Sequence, residues 1–181
     1  MQGPCVAPAR DHLAWPEGVF TGMFLHANWL HIGGNMLFLW IFGNNVEDVM
    51  GRLRFLVFYL ASGFVAALSQ TWVTLHWAGA HAASVPTVGA SGAIAGVLGA
   101  YLVILPRARV VGLLGIIPIP FRAWFFLGLW FLLQLWEADF SVTHPGNGGG
   151  VAFAAHVGGF LFGALTVRLW QVRPVYARGS R

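Results

Sequence analysis

The sequence predicts an all-α fold, a polytopic bundle of membrane helices, and three observations carry that expectation. Of its 181 residues, 57% are hydrophobic and 9% are charged, against about 25% charged in a soluble domain. The apolar residues gather in five long runs, and the charged residues fall in the gaps between them. The same pattern narrows function. The net charge is +4 and every basic residue is arginine, but the arginines are dispersed among short gaps and form no basic patch. No nucleic-acid partner is expected. Cys5 is the single cysteine, which excludes an internal disulfide.

Taken in order, residues 1–24 mix prolines, acids and one arginine. They hold no run long enough to span, and neither the basic start nor the apolar core of a signal peptide. They read as a loop with a partly buried aromatic tail (Trp15, Phe20, Phe24). Membrane segments follow at 28–46, 55–72, 87–105, 124–136 and 151–170. A helix needs about 20 residues to cross about 30 Å of hydrocarbon. The fourth segment is short, and GLLGIIPIP just before it offers an earlier entry. Pro106, Pro118 and Pro120 punctuate a loop. Trp15, Trp29, Trp72, Trp77, Trp124 and Trp136 fall near segment ends, where interfacial anchors belong.

Charge sets the orientation. Arg52 and Arg54 follow segment one, Arg107, Arg109 and Arg122 follow segment three, and Arg168, Arg173, Arg178 and Arg181 mark the C-terminal end. The other two gaps carry no base. By the positive-inside rule the arginine-bearing gaps and the C-terminus are cytoplasmic and the N-terminus lies outside. The chain then divides into an extracytoplasmic loop at 1–24, a membrane domain at 25–172 and a basic cytoplasmic tail at 173–181. An outside N-terminus without a signal points to a further helix before this chain.

Orientation sets depth. His31 and Asn35 on segment one, Ser91 on segment three and His156 on segment five all come to lie in one layer below the outer surface, with Gln70 and Gln134 near that side. Ionisable groups in membrane segments are costly and face partners or a wet cavity. Gly92, Gly96 and Gly99 line one face of segment three, and Gly159 and Gly163 one face of segment five. Small residues at this spacing let helices approach closely, which would bring Ser91 beside His156. A serine hydroxyl becomes a useful nucleophile when a base within hydrogen-bond reach takes its proton. No carboxylate shares this depth, so the arrangement is a pair without an acidic third member. His31 and Asn35, four apart, share a helix face and can donate to an oxyanion, as can the Ser91 backbone N–H.

These residues resemble the rhomboid family of intramembrane serine proteases over nearly the whole chain from Phe24. FLHANWLHIGGNMLFLWIFG is similar to the family's second membrane helix, GASG at Gly89–Gly92 to its nucleophile motif, and AHVGGFLFG at Ala155–Gly163 to the motif of its sixth helix. The resemblance implies Ser91 as nucleophile and His156 as base and then acid. It implies an oxyanion site of His31, Asn35 and the Ser91 amide, with Gly89 shaping the turn, and a secondary role for His26. It implies no cofactor and no metal. The substrate would be a membrane protein with one transmembrane helix, cut near the outer boundary of the bilayer, with 140–150 as a mobile cap. A multi-pass place in a bacterial plasma membrane is expected.

Three departures from the family pattern stand out. Five helices are counted where the family core has six, the first being absent. Trp15-Pro16-Glu17 lacks the arginine of a Trp-Arg pair. Ala95 stands where many members carry an aromatic that stacks on the catalytic histidine. Two other readings compete: a non-catalytic rhomboid-like protein that binds membrane helices, as a truncated or inactive member, and a metal or proton transporter built on the seven histidines. Against the last, there is no H-E-x-x-H site, and His26 and His31, five apart, are expected on different faces.

Overall fold

A computed structural model of the chain describes residues 15–78, 88–114, 117–143 and 152–174. It is mostly helical. Helix α1 spans Trp15–Gly22. Helices α2 (Trp29–Phe38) and α3 (Asn44–Met50) join through a π-helical turn at Leu39–Gly43. Helix α4 (Arg52–Val73) extends through a second π-helical turn at Thr74–Ala78. Helix α5 is Ser91–Ile104, strands β1 and β2 are Arg109–Leu114 and Ile117–Arg122, and α6 (Ala123–Thr143) and α7 (Phe153–Trp170) complete the described chain.

Local chemistry explains the boundaries. Asn28 caps α2, its side-chain oxygen accepting from the His31 N–H at 2.8 Å. Gly51, at φ +79, makes the turn between α3 and α4. Two stretches, Arg52–Trp77 and Phe153–Trp170, are long and apolar enough to cross a membrane. Helix α5 differs: it has 14 residues, and every one from Gly92 to Tyr101 is buried. A helix apolar all round must be covered all round, and α5 forms the centre of the bundle, packed against α4, α6 and α7.

The tightest packing is between α5 and α7. A Cβ placed on Gly159 would strike the Gly92 carbonyl, one on Gly163 the Gly96 carbonyl, and one on Gly99 the Phe160 carbonyl. Helix α4 closes on the same centre, with Ala66 against Gly92 and Ser62 against Gly96. Below the glycines the core continues through Phe42, Val46, Met50, Phe58, Val97, Leu98, Leu127, Phe160 and Val167.

Four expectations need correction. The fold is not purely α. Residues 109–114 and 117–122, within a stretch read as a loop or an early entry to the fourth segment, pair as antiparallel strands with Arg109 opposite Arg122 and Leu114 opposite Ile117. Pro118 and Pro120 cannot continue a helix. Spaced by two, they leave both missing N–H groups on one edge of a strand, where they cost no ladder bond. Second, Trp15–Gly22 is helical, and Phe20 and Phe24 are 53% and 60% exposed rather than partly buried. Third, segment three becomes helical only at Ser91, and Thr87 lies outside the described residues. Fourth, α6 runs on to Thr143, so Phe140–Thr143 of the expected cap are helical, while 144–150 lie outside the described residues.

At the other end, the Val172 and Arg173 N–H groups both donate to the Val49 carbonyl, tying the chain after α7 to α3. Residues 1–14 of the expected N-terminal loop and 175–181 of the expected tail lie outside the described residues. Trp29, Trp72, Trp77, Trp124 and Trp136 are exposed.

The glycine contacts make a prediction. Gly163→Val should lower the melting temperature of the detergent-purified protein by the equivalent of about 1–3 kcal/mol or more, the usual cost of overpacking. Gly128→Ala, at a position with open space around it, should be neutral or stabilising by up to about 1 kcal/mol through helix propensity. Equal melting curves for the two variants would contradict this packing.

Candidate active site

The glycine contact between α5 and α7 sets the site. Ser91 precedes Gly92 by one residue and His156 precedes Gly159 by three, so both sit within a turn of the closest approach. The Ser91 Oγ lies 2.8 Å from the His156 Nε2. His156 is buried, and its other ring nitrogen, Nδ1, lies 2.7 Å from the Gln134 Oε1 on α6. Gln70 on α4 reaches the same region, its Oε1 accepting from the Ala155 N–H at 3.3 Å. Three helices therefore meet at one histidine, and α4 is tied to the residue before it.

Aromatic rings wall this histidine. Trp130 lies one helical turn before Gln134, with its ring centroid 6.0 Å from that of His156. Phe153, at the start of α7, meets the ring edge-on at 6.2 Å. Ala95 is fully buried, and the aromatic neighbours come from α6 and α7 rather than from α5.

His31 and Asn35 approach from α2. Their side chains converge on Gly89, whose φ is +116. A Cβ on Gly89 would lie 2.8 Å from the His31 Cε1, 2.9 Å from its Nε2 and 3.8 Å from the Asn35 Nδ2. The Gly89 N–H is engaged, donating to the Gly22 carbonyl at 2.8 Å. Gly89 thus contributes conformation and space rather than a donor for an oxyanion. Asn35 is buried, and its Nδ2 has no hydrogen-bond partner among the described residues. Ser91, Gly92 and Ala93 open α5, where backbone N–H groups lack an intrahelical acceptor and a helix terminus favours negative charge.

His26 corrects one expectation. It precedes α2, so the five-residue offset does not follow a helical wheel. Its ring packs edge-on against His31 at 5.2 Å, and its Nε2 is buried without a hydrogen-bond partner among the described residues. Among the described residues, no cluster of three or more His, Cys, Asp or Glu could hold a metal.

Sequence reasoning named Gln70 and Gln134 for their depth and gave them no task. Their spacing could not reveal which ring atom or backbone group they reach. Trp130 gave no signal beyond being one of several tryptophans in an apolar run.

A bundle of apolar helices with a serine, a histidine and unpartnered donors in its interior defines the class. The Rhomboid domain family matches residues 14–171, and the chain belongs to the rhomboid family, a family of integral membrane proteins. Rhomboid protein 1, mitochondrial, of Saccharomyces cerevisiae is 32% identical over 158 residues, covering 86% of this chain and 42% of that protein. Rhomboid-like protein 11, chloroplastic, of Arabidopsis thaliana is 40% identical over 83 residues, 46% of this chain and 27% of that protein. Presenilin-associated rhomboid-like protein, mitochondrial, of Bos taurus is 32% identical over 159 residues, 86% of this chain and 38% of that protein. The chain spans less than half the length of these curated relatives. Their names place them in organelles, so they lend no support to the expected bacterial plasma membrane. No solved structure matches the chain.

Gly89→Ala tests the turn. The substitution puts a side chain at a φ that L-residues avoid and against the His31 ring, at a cost of about 1–3 kcal/mol. It should lower the melting temperature and weaken any serine-directed labelling of Ser91, whereas Gly33→Ala, in open space, should do neither. Unchanged melting and labelling in Gly89→Ala would remove the turn from the site.

Proposed function

We propose that this protein is an intramembrane serine endopeptidase that cuts membrane proteins having one transmembrane helix, using Ser91 and His156 as a dyad. The observation that carries the reading is the 2.8 Å contact between the Ser91 Oγ and the His156 Nε2 inside an apolar bundle. In acylation the Ser91 oxygen attacks the scissile carbonyl and its proton passes to the His156 Nε2. The tetrahedral oxyanion takes hydrogen bonds from the Asn35 Nδ2, His31 and the Ser91 backbone N–H. As the C–N bond breaks, His156 returns the proton to the leaving amine. Water, activated by the same histidine, then cleaves the acyl-enzyme and regenerates the hydroxyl.

The unpartnered Asn35 Nδ2 supports its assignment to the oxyanion. A buried donor without an acceptor costs about 1–3 kcal/mol, and an incoming oxyanion supplies the acceptor. Depth supports the substrate class. Helix α5 has 14 residues and rises about 21 Å, less than the about 30 Å of hydrocarbon. With its arginine-flanked end at the cytoplasmic face, it starts below the outer surface and carries Ser91 with it. The five membrane segments in this reading are 29–50, 52–78, 91–104, 123–143 and 153–170, with the C-terminus cytoplasmic or facing the equivalent compartment of an organelle.

Ser91→Ala and His156→Ala should each abolish labelling by a fluorophosphonate and cleavage of a single-span reporter in liposomes. Asn35→Ala should keep labelling detectable and lower kcat by about 10²–10³-fold, the usual effect of losing one oxyanion donor. Reporter cleavage that persists in Ser91→Ala would refute the dyad. A folded wild-type chain that neither labels nor cleaves, yet retains single-span helices, would be a binding protein of the same fold.

A further inference from the structure

Gln134 lies outside the proposed dyad, yet its side chain is directed at it. The Gln134 Oε1 faces the His156 Nδ1 at 2.7 Å. An amide oxygen only accepts, so Nδ1 must carry the ring proton. A neutral imidazole with its proton on Nδ1 has Nε2 free to accept, and Nε2 is the atom that faces the Ser91 Oγ. The opposite tautomer would present an N–H to the serine and could not take its proton. Which nitrogen is protonated in a histidine is set by the bond the other nitrogen makes.

Among the described residues, the surroundings leave the task to Gln134. The ring is flanked by Trp130 and Phe153, which offer faces and edges and no acceptor. Gln70 is engaged with the Ala155 N–H. We infer that Gln134 is a positioning residue that holds His156 in its base-competent tautomer and orientation, a neutral amide in the place where soluble serine hydrolases carry a carboxylate. The inference rests on the protease reading above.

Gln134 also comes from a different helix than either member of the dyad. Helix α6 starts where the Ala123 and Trp124 N–H groups donate to the Ala108 and Pro106 carbonyls at the foot of α5. The hydrogen bond to His156 is a polar tie to α7 further along the helix.

Three variants test the role: Gln134→Leu and Gln134→Met, close in volume but without an acceptor, and Gln134→Glu, which keeps one. In a liposome assay the Leu and Met variants should lose about tenfold to 100-fold in kcat with little change in KM, a share of the gain from general base catalysis. Gln134→Glu should retain more activity than either. A residue that only filled space would give the reverse order, with Glu worst. Nitrogen-15 NMR of histidine-labelled protein, with the His156 signals assigned by difference against His156→Ala, should show the Nδ1–H tautomer in wild type and its loss in Gln134→Leu.

A wild-type Nε2–H tautomer would overturn the inference, and so would a Leu variant as active as wild type. Failure of the protease reading looks different. Wild type would then be inert toward fluorophosphonate and reporter, while the tautomer and its dependence on Gln134 would still show whether Gln134 orients the ring.

Discussion

The structure depends on how closely α5 and α7 approach. In lipid, apolar burial does little to drive one helix against another, because lipid tails are as apolar as leucine. Van der Waals contact and hydrogen bonds carry the association instead. Gly92, Gly96 and Gly99 on one side and Gly159, Gly163 and the Phe160 backbone on the other remove every Cβ from that contact. The proposed nucleophile and base are each within a turn of the Gly92–Gly159 crossing. The same close packing that holds the bundle together therefore fixes the 2.8 Å between Ser91 and His156. A larger residue in the stripe would disturb fold and site together.

Central burial has a second consequence. A 14-residue helix could not by itself hide its ends from a bilayer, but α5 is surrounded by its neighbours and need not span alone. Its N-terminus is free to open inside the protein, where Ser91 meets His156 of α7 and Gly89, just before the helix, meets His31 and Asn35 of α2. The paired strands Arg109–Leu114 and Ile117–Arg122 return the chain to the foot of α5, where the Ala123 and Trp124 N–H groups donate to the Ala108 and Pro106 carbonyls and tie the start of α6 to that end.

Much of this was legible in the sequence, for physical reasons that differ by feature. Arginine asymmetry and apolar length gave segment order and relative depth, so the shared layer of His31, Asn35, Ser91 and His156 could be read before any coordinates. Glycine spacing pointed to the helices that touch. The hairpin was not legible, because Arg109–Arg122 is as apolar as a membrane entry and its prolines mark a break without saying what replaces the helix. The helix Trp15–Gly22 was hidden by its proline and glycine. The offset of His26 from His31 misled because it assumed one continuous helix, whereas α2 begins only after the Asn28 cap. Depth placed Gln70 and Gln134 near the site, but only rotation about each helix axis decides what a side chain reaches, and apolar segments with weak amphipathicity do not encode it.

The polar groups of the site divide unevenly, and the division matches the proposed chemistry. His156 has both ring nitrogens partnered, by groups that are neutral. Asn35 and His26 each present a buried side-chain nitrogen without a hydrogen-bond partner among the described residues. A carboxylate at Gln134 would place a full charge in an apolar bundle and need its own compensation, whereas an amide orients the imidazole at far smaller desolvation cost. The unsatisfied Asn35 donor carries the opposite burden: it destabilises the resting protein by about 1–3 kcal/mol. In the proposed mechanism that cost is recovered when negative charge develops beside it. In that mechanism, a site whose base is satisfied at rest and whose oxyanion donor is not would bind the tetrahedral oxyanion better than the flat carbonyl, which is the differential binding that lowers a barrier.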